Sequence, residues 1–252
     1  MGISSILAIL FTLAFSIVFP IGLMLYFRKK GGNWRTFFIG AAAFIVFAMI
    51  LESILHNLLF LTPLWPILQG NIWLYGLYGG LAAGIFEETG RFLAFKLFLK
   101  KEREPITALS YGIGHGGVEA ILIVGVTMVN NLVLAVMASA GATTDPAVLE
   151  LAEQLTTTPA GVFLWAAFER FGAIILHLSL SVLVFAAVRV PGKTWLFPAA
   201  ILIHAVADFI VVVSNANLPV AATEIIVLVF AVIVALFVRM VYRTLPAAAE
   251  EN

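Results

Sequence analysis

Residues 106–141 read ITALSYGIGHGGVEAILIVGVTMVNNLVLAVMASAG, an apolar run that carries one imidazole, His115, and one carboxylate, Glu119. About 20 apolar residues cross the hydrocarbon of a bilayer as a helix. The run is therefore a membrane span, and its excess length predicts that it projects beyond the bilayer or bends near its glycines. A charged side chain at mid-span costs roughly 3 kcal/mol on insertion scales and is seldom kept without a task.

Six further apolar runs flank it, near 3–27, 36–60, 71–98, 159–188, 194–214 and 219–241. The fold class is an all-α polytopic transmembrane helix bundle of about seven spans, or eight if the fourth run divides. Composition agrees, with 62% hydrophobic and 11% charged residues against about 25% charged in soluble domains. One transmembrane domain over 1–245 and a short cytoplasmic tail at 246–252 are expected. Lys+Arg and Asp+Glu balance at 14 each, so nothing points to nucleic acid, and the first partner is the lipid bilayer. Without cysteine there is no disulfide, thiol nucleophile or thiolate metal site, which leaves histidine and carboxylates for chemistry.

The basic residues set a direction, because Lys and Arg gather in cytoplasmic loops. Arg28, Lys29, Lys30 and Arg35 follow the first run, Lys100, Lys101 and Arg103 the third, Arg189 and Lys193 the fifth, and Arg239 and Arg243 end the seventh. The connections near 61–70, 142–158 and 215–218 contain neither Lys nor Arg. An outside amino terminus and a cytoplasmic carboxyl terminus follow, in a multi-pass protein of a prokaryotic plasma membrane. The first run lacks the polarity of a signal peptide and is read as a retained span. Asp145-Pro146, a helix cap and first residue, with Val148, Leu151 and Leu155 at helical spacing, predicts a short helix in the second connection.

Direction and the 1.5 Å rise per residue give depth. Glu87 and Glu88, His115, His177 and His204 all lie about ten residues, or roughly 15 Å, from the basic boundary. Four helices thus bring polar groups to one level near mid-membrane. His115 and Glu119 share a face, as do His204 and Asp208, and Arg91 lies within reach of Glu87 and Glu88. Arg91 can pair with either; i,i+4 spacing favours its holding Glu87 and freeing Glu88, and which of the two is the base stays open. Small residues at Gly76, Gly80, Gly84 and at Gly112, Gly116 let helices approach and predict tight packing between the third and fourth spans. Glu87, Glu88, Glu119 and Asp208 at one depth with Arg91 as the fixed cation cannot all be ionised, so protons are shared or a cation is bound.

Each feature has a plainer explanation. A single buried His-x-x-x-acid pair serves as an interhelical hydrogen bond, and Glu-Glu-x-x-Arg serves as a structural ion pair. Their coincidence on one level favours a functional site. Glu52 and His56, and Glu169 and Arg170, lie further out and are read as structural, with a water path as the other possibility. Asn130 and Asn131 are read as bonds between helices.

These residues resemble the CAAX-protease and bacteriocin-processing superfamily of intramembrane peptidases, and above all its YhfC-like branch. That superfamily carries Glu-Glu-x-x-x-Arg, an aromatic-x-x-x-His and a later His-x-x-x-Asn or His-x-x-x-Asp. Here Glu87-Glu88 is followed by Arg91 one position early, Tyr111 precedes His115, and His204 precedes Asp208. The resemblance runs from the third to the sixth span and implies an intramembrane endopeptidase of metallo or glutamate type. It implies Glu87 or Glu88 with His115 as activators of water, with His204 and Asp208 positioning the water or stabilising the oxyanion, and Arg91 completing the motif. Glu119, Glu169 and His177 look like features of the YhfC branch. They make the site denser and favour a bound divalent metal such as zinc, held by His115, His177, His204 and Glu119, with a metal-free glutamate base as the other possibility. The substrate would be a peptide or membrane protein cleaved in or near the bilayer and entered from the cytoplasmic half. The alternatives are a divalent-metal or proton transporter using the same residues, and a non-catalytic bundle that binds a membrane partner.

Overall fold

The structure, a computed structural model, describes residues 1–245 and is helical throughout; the expected tail at 246–252 lies outside the described residues. Among the described residues nine helices follow in order: α1 (Ile3–Lys29), α2 (Trp34–Phe60), α3 (Leu64–Gln69), α4 (Ile72–Leu93), α5 (Ile106–Ser139), α6 (Pro146–Thr157), α7 (Ala160–Arg189), α8 (Leu196–Asn217) and α9 (Val220–Arg243). α1, α2, α5, α7, α8 and α9 are six long apolar helices of 22 to 34 residues. α4 is of similar length and runs on through a π-helical turn at Ala94–Phe98, but carries Glu87, Glu88 and Arg91 in its second half.

Local chemistry explains the boundaries. The Asn33, Asn71 and Asp145 side chains accept the first free N–H groups of α2, α4 and α6, and Gly192 leaves α7 at a φ of 77° that favours glycine. α5 is one helix, not two, and passes through a π-helical stretch at Ala120–Gly125. The expected short helix forms as α6; it buries Ala152 and Leu155 and leaves Leu151 exposed. α3 in the first connection has no counterpart among the sequence expectations.

The outer surface is apolar. Ile225, Val229, Ile233 and Leu236 of α9, and Trp73, Leu77 and Ile85 of α4, are each 49% to 60% exposed. Such a surface is stable only against lipid. The protein is a multi-pass membrane protein. α7 is the central helix, with α1, α4, α5, α8 and α9 packed round it, while α2 closes against α5 and α4. The basic loops gather at one end: Arg35 donates to the Phe98 carbonyl, Arg189 to those of Phe95 and Leu99, and Lys193 to Thr244. The Arg189 bonds take up carbonyls at the π turn that ends α4. We call this the basic end.

The glycine stripes do not bring the third and fourth spans together, as the spacing had suggested. A Cβ at Gly84 would lie 2.6 Å from the Ile201 carbonyl oxygen, and one at Gly80 would meet the Ala205 carbonyl, so this stripe seats α4 on α8. A Cβ at Gly112 would lie 2.9 Å from Leu178 Cα, which seats α5 on α7. Gly40 of α2 and Gly114 of α5 face each other's backbones as a reciprocal clasp. Periodicity shows that a helix has a smooth face; it does not say which neighbour uses it. Gly80→Ala is expected to lower stability by about 1–3 kcal/mol through overpacking. Gly79→Ala, with nothing within 4 Å of its Cβ, is expected to raise it by up to about 1 kcal/mol through helix propensity. Thermal unfolding in detergent checks the pair, and equal shifts would contradict the packing.

Candidate active site

Four helices deliver side chains to one level, and they meet. Glu87 from α4 places Oε2 2.8 Å from Nε2 of His115 on α5. The same oxygen lies 4.0 Å from His177 Nδ1 on α7 and 4.0 Å from His204 Nε2 on α8. The rings of His115 and His177 are 4.9 Å apart, and those of His177 and His204 are 5.5 Å apart. Glu87 is thus the carboxylate around which three imidazoles converge. His115 is fully buried, with the edge of the Phe44 ring against it.

The adjacent carboxylate has a different environment. Glu88 is fully buried, and its Oε1 accepts hydrogen bonds from Arg91 and from His204 Nδ1, the latter at 2.8 Å. This reverses the expected pairing, in which Arg91 held Glu87. Helix geometry permits Arg91 to reach either glutamate, and its other nitrogen, Nη2, lies 3.2 Å from His177 Nδ1. The direction that lets one guanidinium serve both Glu88 and His177 is the one taken. A spacing rule confined to α4 cannot contain that preference.

A second tier stands behind the first. His177 Nε2 lies 2.5 Å from Glu119 Oε2, and Glu119 Oε1 accepts from Arg170 Nη1 at 2.6 Å. Arg170 also holds Glu169 through two nitrogens. Arg170 is therefore part of the site's electrostatics, not an outlying structural pair. Its signal was present in the sequence: Arg170 and His177 are seven residues apart, two turns along one helix face. Asp208 Oδ2 is 3.6 Å from His204 Nε2, with 37% of its side chain exposed. Glu88 is matched by Arg91, while Glu119 and Glu169 share Arg170. Glu87 and Asp208 have imidazoles as their nearest polar partners, so a proton or a bound cation must balance that charge.

The donor set fits a metal. One ligand atom each from Glu87, His115 and His177 lie within 4.8 Å of one another, all buried, and zinc ligands are separated by roughly 3.3–3.5 Å in a tetrahedral shell. His204 has the backing typical of a ligating histidine, one ring nitrogen on a carboxylate and the other turned inward. Of the expected ligands, Glu119 is committed to Arg170 and His177, and Glu87 stands where it had been placed.

The expected entry from the basic end meets a packed half. Phe95, Leu99, Ala108, Tyr111, Leu180 and Leu183 fill that half with no exposed surface. A cavity of about 360 Å³ instead reaches Glu87 and Glu119 from the opposite half, along α2.

Comparison with known proteins agrees with this chemistry. The family described as YhfC intramembrane metalloprotease matches residues 15–234. The chain is similar to the uncharacterized membrane protein YhfC of Bacillus subtilis (strain 168), with 36% identity over 231 residues, covering 86% of this chain and 89% of that protein. No solved structure matches it.

Proposed function

The chain belongs to the YhfC intramembrane metalloprotease family, and from that premise we propose that Glu87, with His115, activates the water that cleaves a peptide bond within the membrane. Between peptidase and transporter, membership decides for the enzyme. The observation that carries the assignment is the position of Glu87 Oε2 at the meeting point of three imidazoles. Glu88 is engaged by Arg91 and His204 and is assigned the role of anchor.

In this reading Glu87 takes a proton from water as the water oxygen bonds to the scissile carbonyl carbon. The same carboxyl returns the proton to the amide nitrogen as the C–N bond breaks, so the reaction balances without a further donor. His115, hydrogen-bonded through Nε2, orients Glu87. His204, whose Nδ1–H is fixed on Glu88, turns the Nε2 lone pair toward Glu87, where with Asp208 it accepts a hydrogen bond from the water and positions it. With a divalent metal bound, His115, His177 and one Glu87 oxygen would hold it, leaving the other Glu87 oxygen as the base and His204 adjacent; the His115–Glu87 hydrogen bond belongs to the metal-free site. Such an ion, zinc by donor type, supplies Lewis acidity toward the carbonyl and a lowered pKa for water. Glu119 and Arg170 keep the His177 ring in place.

We further infer seven spans with α4 as the third, one transmembrane domain over 1–245, and an outside amino terminus. The basic end is then cytoplasmic. The substrate is a peptide or membrane protein.

Protein reconstituted with a mixture of single-pass membrane peptides is expected to generate new peptide ends, read by mass spectrometry. Their absence would overturn the reading. Chelation is expected to lower both cleavage and the unfolding temperature, and zinc to restore both by ligand linkage. In His115→Ala the thermal response to zinc should be lost, a readout independent of turnover.

A further inference from the structure

The cavity beside Glu87 lies between α2 and α5, with Met49, Glu52 and His56 on one wall and Glu119 and Ile123 on the other. On the basic side of the site these two helices are clasped at Gly40 and Gly114. Beyond it each wall changes winding: α2 is π-helical over Ile45–Glu52, and α5 over Ala120–Gly125, immediately after Glu119. Wide turns of this kind are uncommon and recur at functional sites. Met49 and Ile123 at the mouth are 43% and 46% exposed, so the opening faces sideways toward lipid.

One wall is polar in an ordered way. Tyr78 Oη lies 2.6 Å from His56 Nδ1, and His56 Nε2 lies 3.2 Å from Glu52 Oε1. Glu52 is thereby held at one oxygen by a histidine that is itself held by a tyrosine on α4. No step of the proposed hydrolysis uses these three residues.

A membrane peptide can be cleaved only where its helix is opened, because a helical carbonyl is shielded and already bonded. Opening it frees backbone N–H groups, each costing several kcal/mol if left unpaired in an apolar setting. A cleft that admits such a segment needs an acceptor beside the site.

We propose that the α2–α5 cleft admits an unwound peptide segment together with the hydrolytic water, and that Glu52, oriented by His56 and Tyr78, is a positioning residue that accepts a backbone N–H of that segment. This rests on the reading of Glu87 as the base. It places substrate entry on the half away from the basic loops and makes the opening lateral.

The cysteine-free sequence makes the test direct. Single-cysteine variants Ser53→Cys in the cleft and Ala108→Cys in the closed half are exposed to a charged, water-soluble methanethiosulfonate in proteoliposomes. Ser53→Cys is expected to react at least about tenfold faster, since the reagent needs water; equal rates would overturn the cleft. In the peptide cleavage assay, Glu52→Leu is expected to raise KM about tenfold, the loss of one hydrogen bond to a charged group, with kcat changed less than about threefold. Glu52→Gln, which keeps an acceptor oxygen, is expected to recover most of it. An unchanged KM in Glu52→Leu would overturn the role of Glu52. Failure of the two ideas is distinguishable: labelling contrast without any peptide cleavage defeats the peptidase assignment alone, and cleavage without contrast defeats the cleft alone.

Discussion

Glu87→Gln is expected to reduce single-turnover peptide cleavage about 10²- to 10⁴-fold, the range for loss of a general base, while the protein keeps its fold. The amide has the size of the carboxyl and can still accept from His115 Nε2, 2.8 Å away in the native site, but it cannot take a proton from water. Glu87 also borders the cavity, so the change strands no buried cation. Glu88→Gln must behave differently. Glu88 balances the fully buried Arg91 and fixes His204 Nδ1, so its neutralisation should first appear as lost stability and only then as lost cleavage. Measuring cleavage and unfolding temperature on both variants separates the roles. An inactive Glu88→Gln of native stability beside an active Glu87→Gln would reverse the assignment.

The level at which this chemistry sits was legible before the structure. Lys and Arg placement with the 1.5 Å rise put Glu87, His115, His177 and His204 at one depth, and they converge, with His115 2.8 Å and His177 and His204 each 4.0 Å from Glu87 Oε2. Helical spacing also grouped His204 with Asp208, which lie 3.6 Å apart. Pairings that cross between helices were not legible. Arg91 could reach two glutamates on its own helix, and a third helix, through His177, fixed the choice. The stripe from Gly76 to Gly84 announced a close neighbour, and the Ala205 backbone of α8, not α5, occupies that place. Arg170 was assigned to the outer half because its depth was judged alone; its phase with His177 carries the information that it reaches Glu119. Period and depth are properties of one helix, whereas the partner of a face is a property of the bundle.

That distinction gives the second large effect. Arg91→Leu is expected to cost about 3–5 kcal/mol of stability, the penalty for leaving one member of a buried pair uncompensated. Glu88 would be stranded with no exposed surface, and His177 Nδ1 would lose its donor. Glu88→Leu alone should cost a similar amount by stranding Arg91. The double variant Glu88→Leu, Arg91→Leu removes both charges, and its stability should return to within about 1–2 kcal/mol of the parent, since apolar replacement of an entire buried ion pair is often neutral. Urea or thermal unfolding of the four proteins in one detergent gives this coupling as a double-mutant cycle, and additive losses would show that the pair is not a unit. The rescued bundle should still be impaired at its site. With Glu88 gone, His204 Nδ1 has no carboxylate to fix its ring, and loss of such an outer partner typically weakens metal affinity 10- to 100-fold. A double variant that regains stability and also binds zinc as the parent does would mean that the ion pair serves the fold alone. One that regains stability but binds zinc weakly would show that the Glu88–Arg91 pair is retained, despite the cost of burying it, to hold His204 and His177 around Glu87.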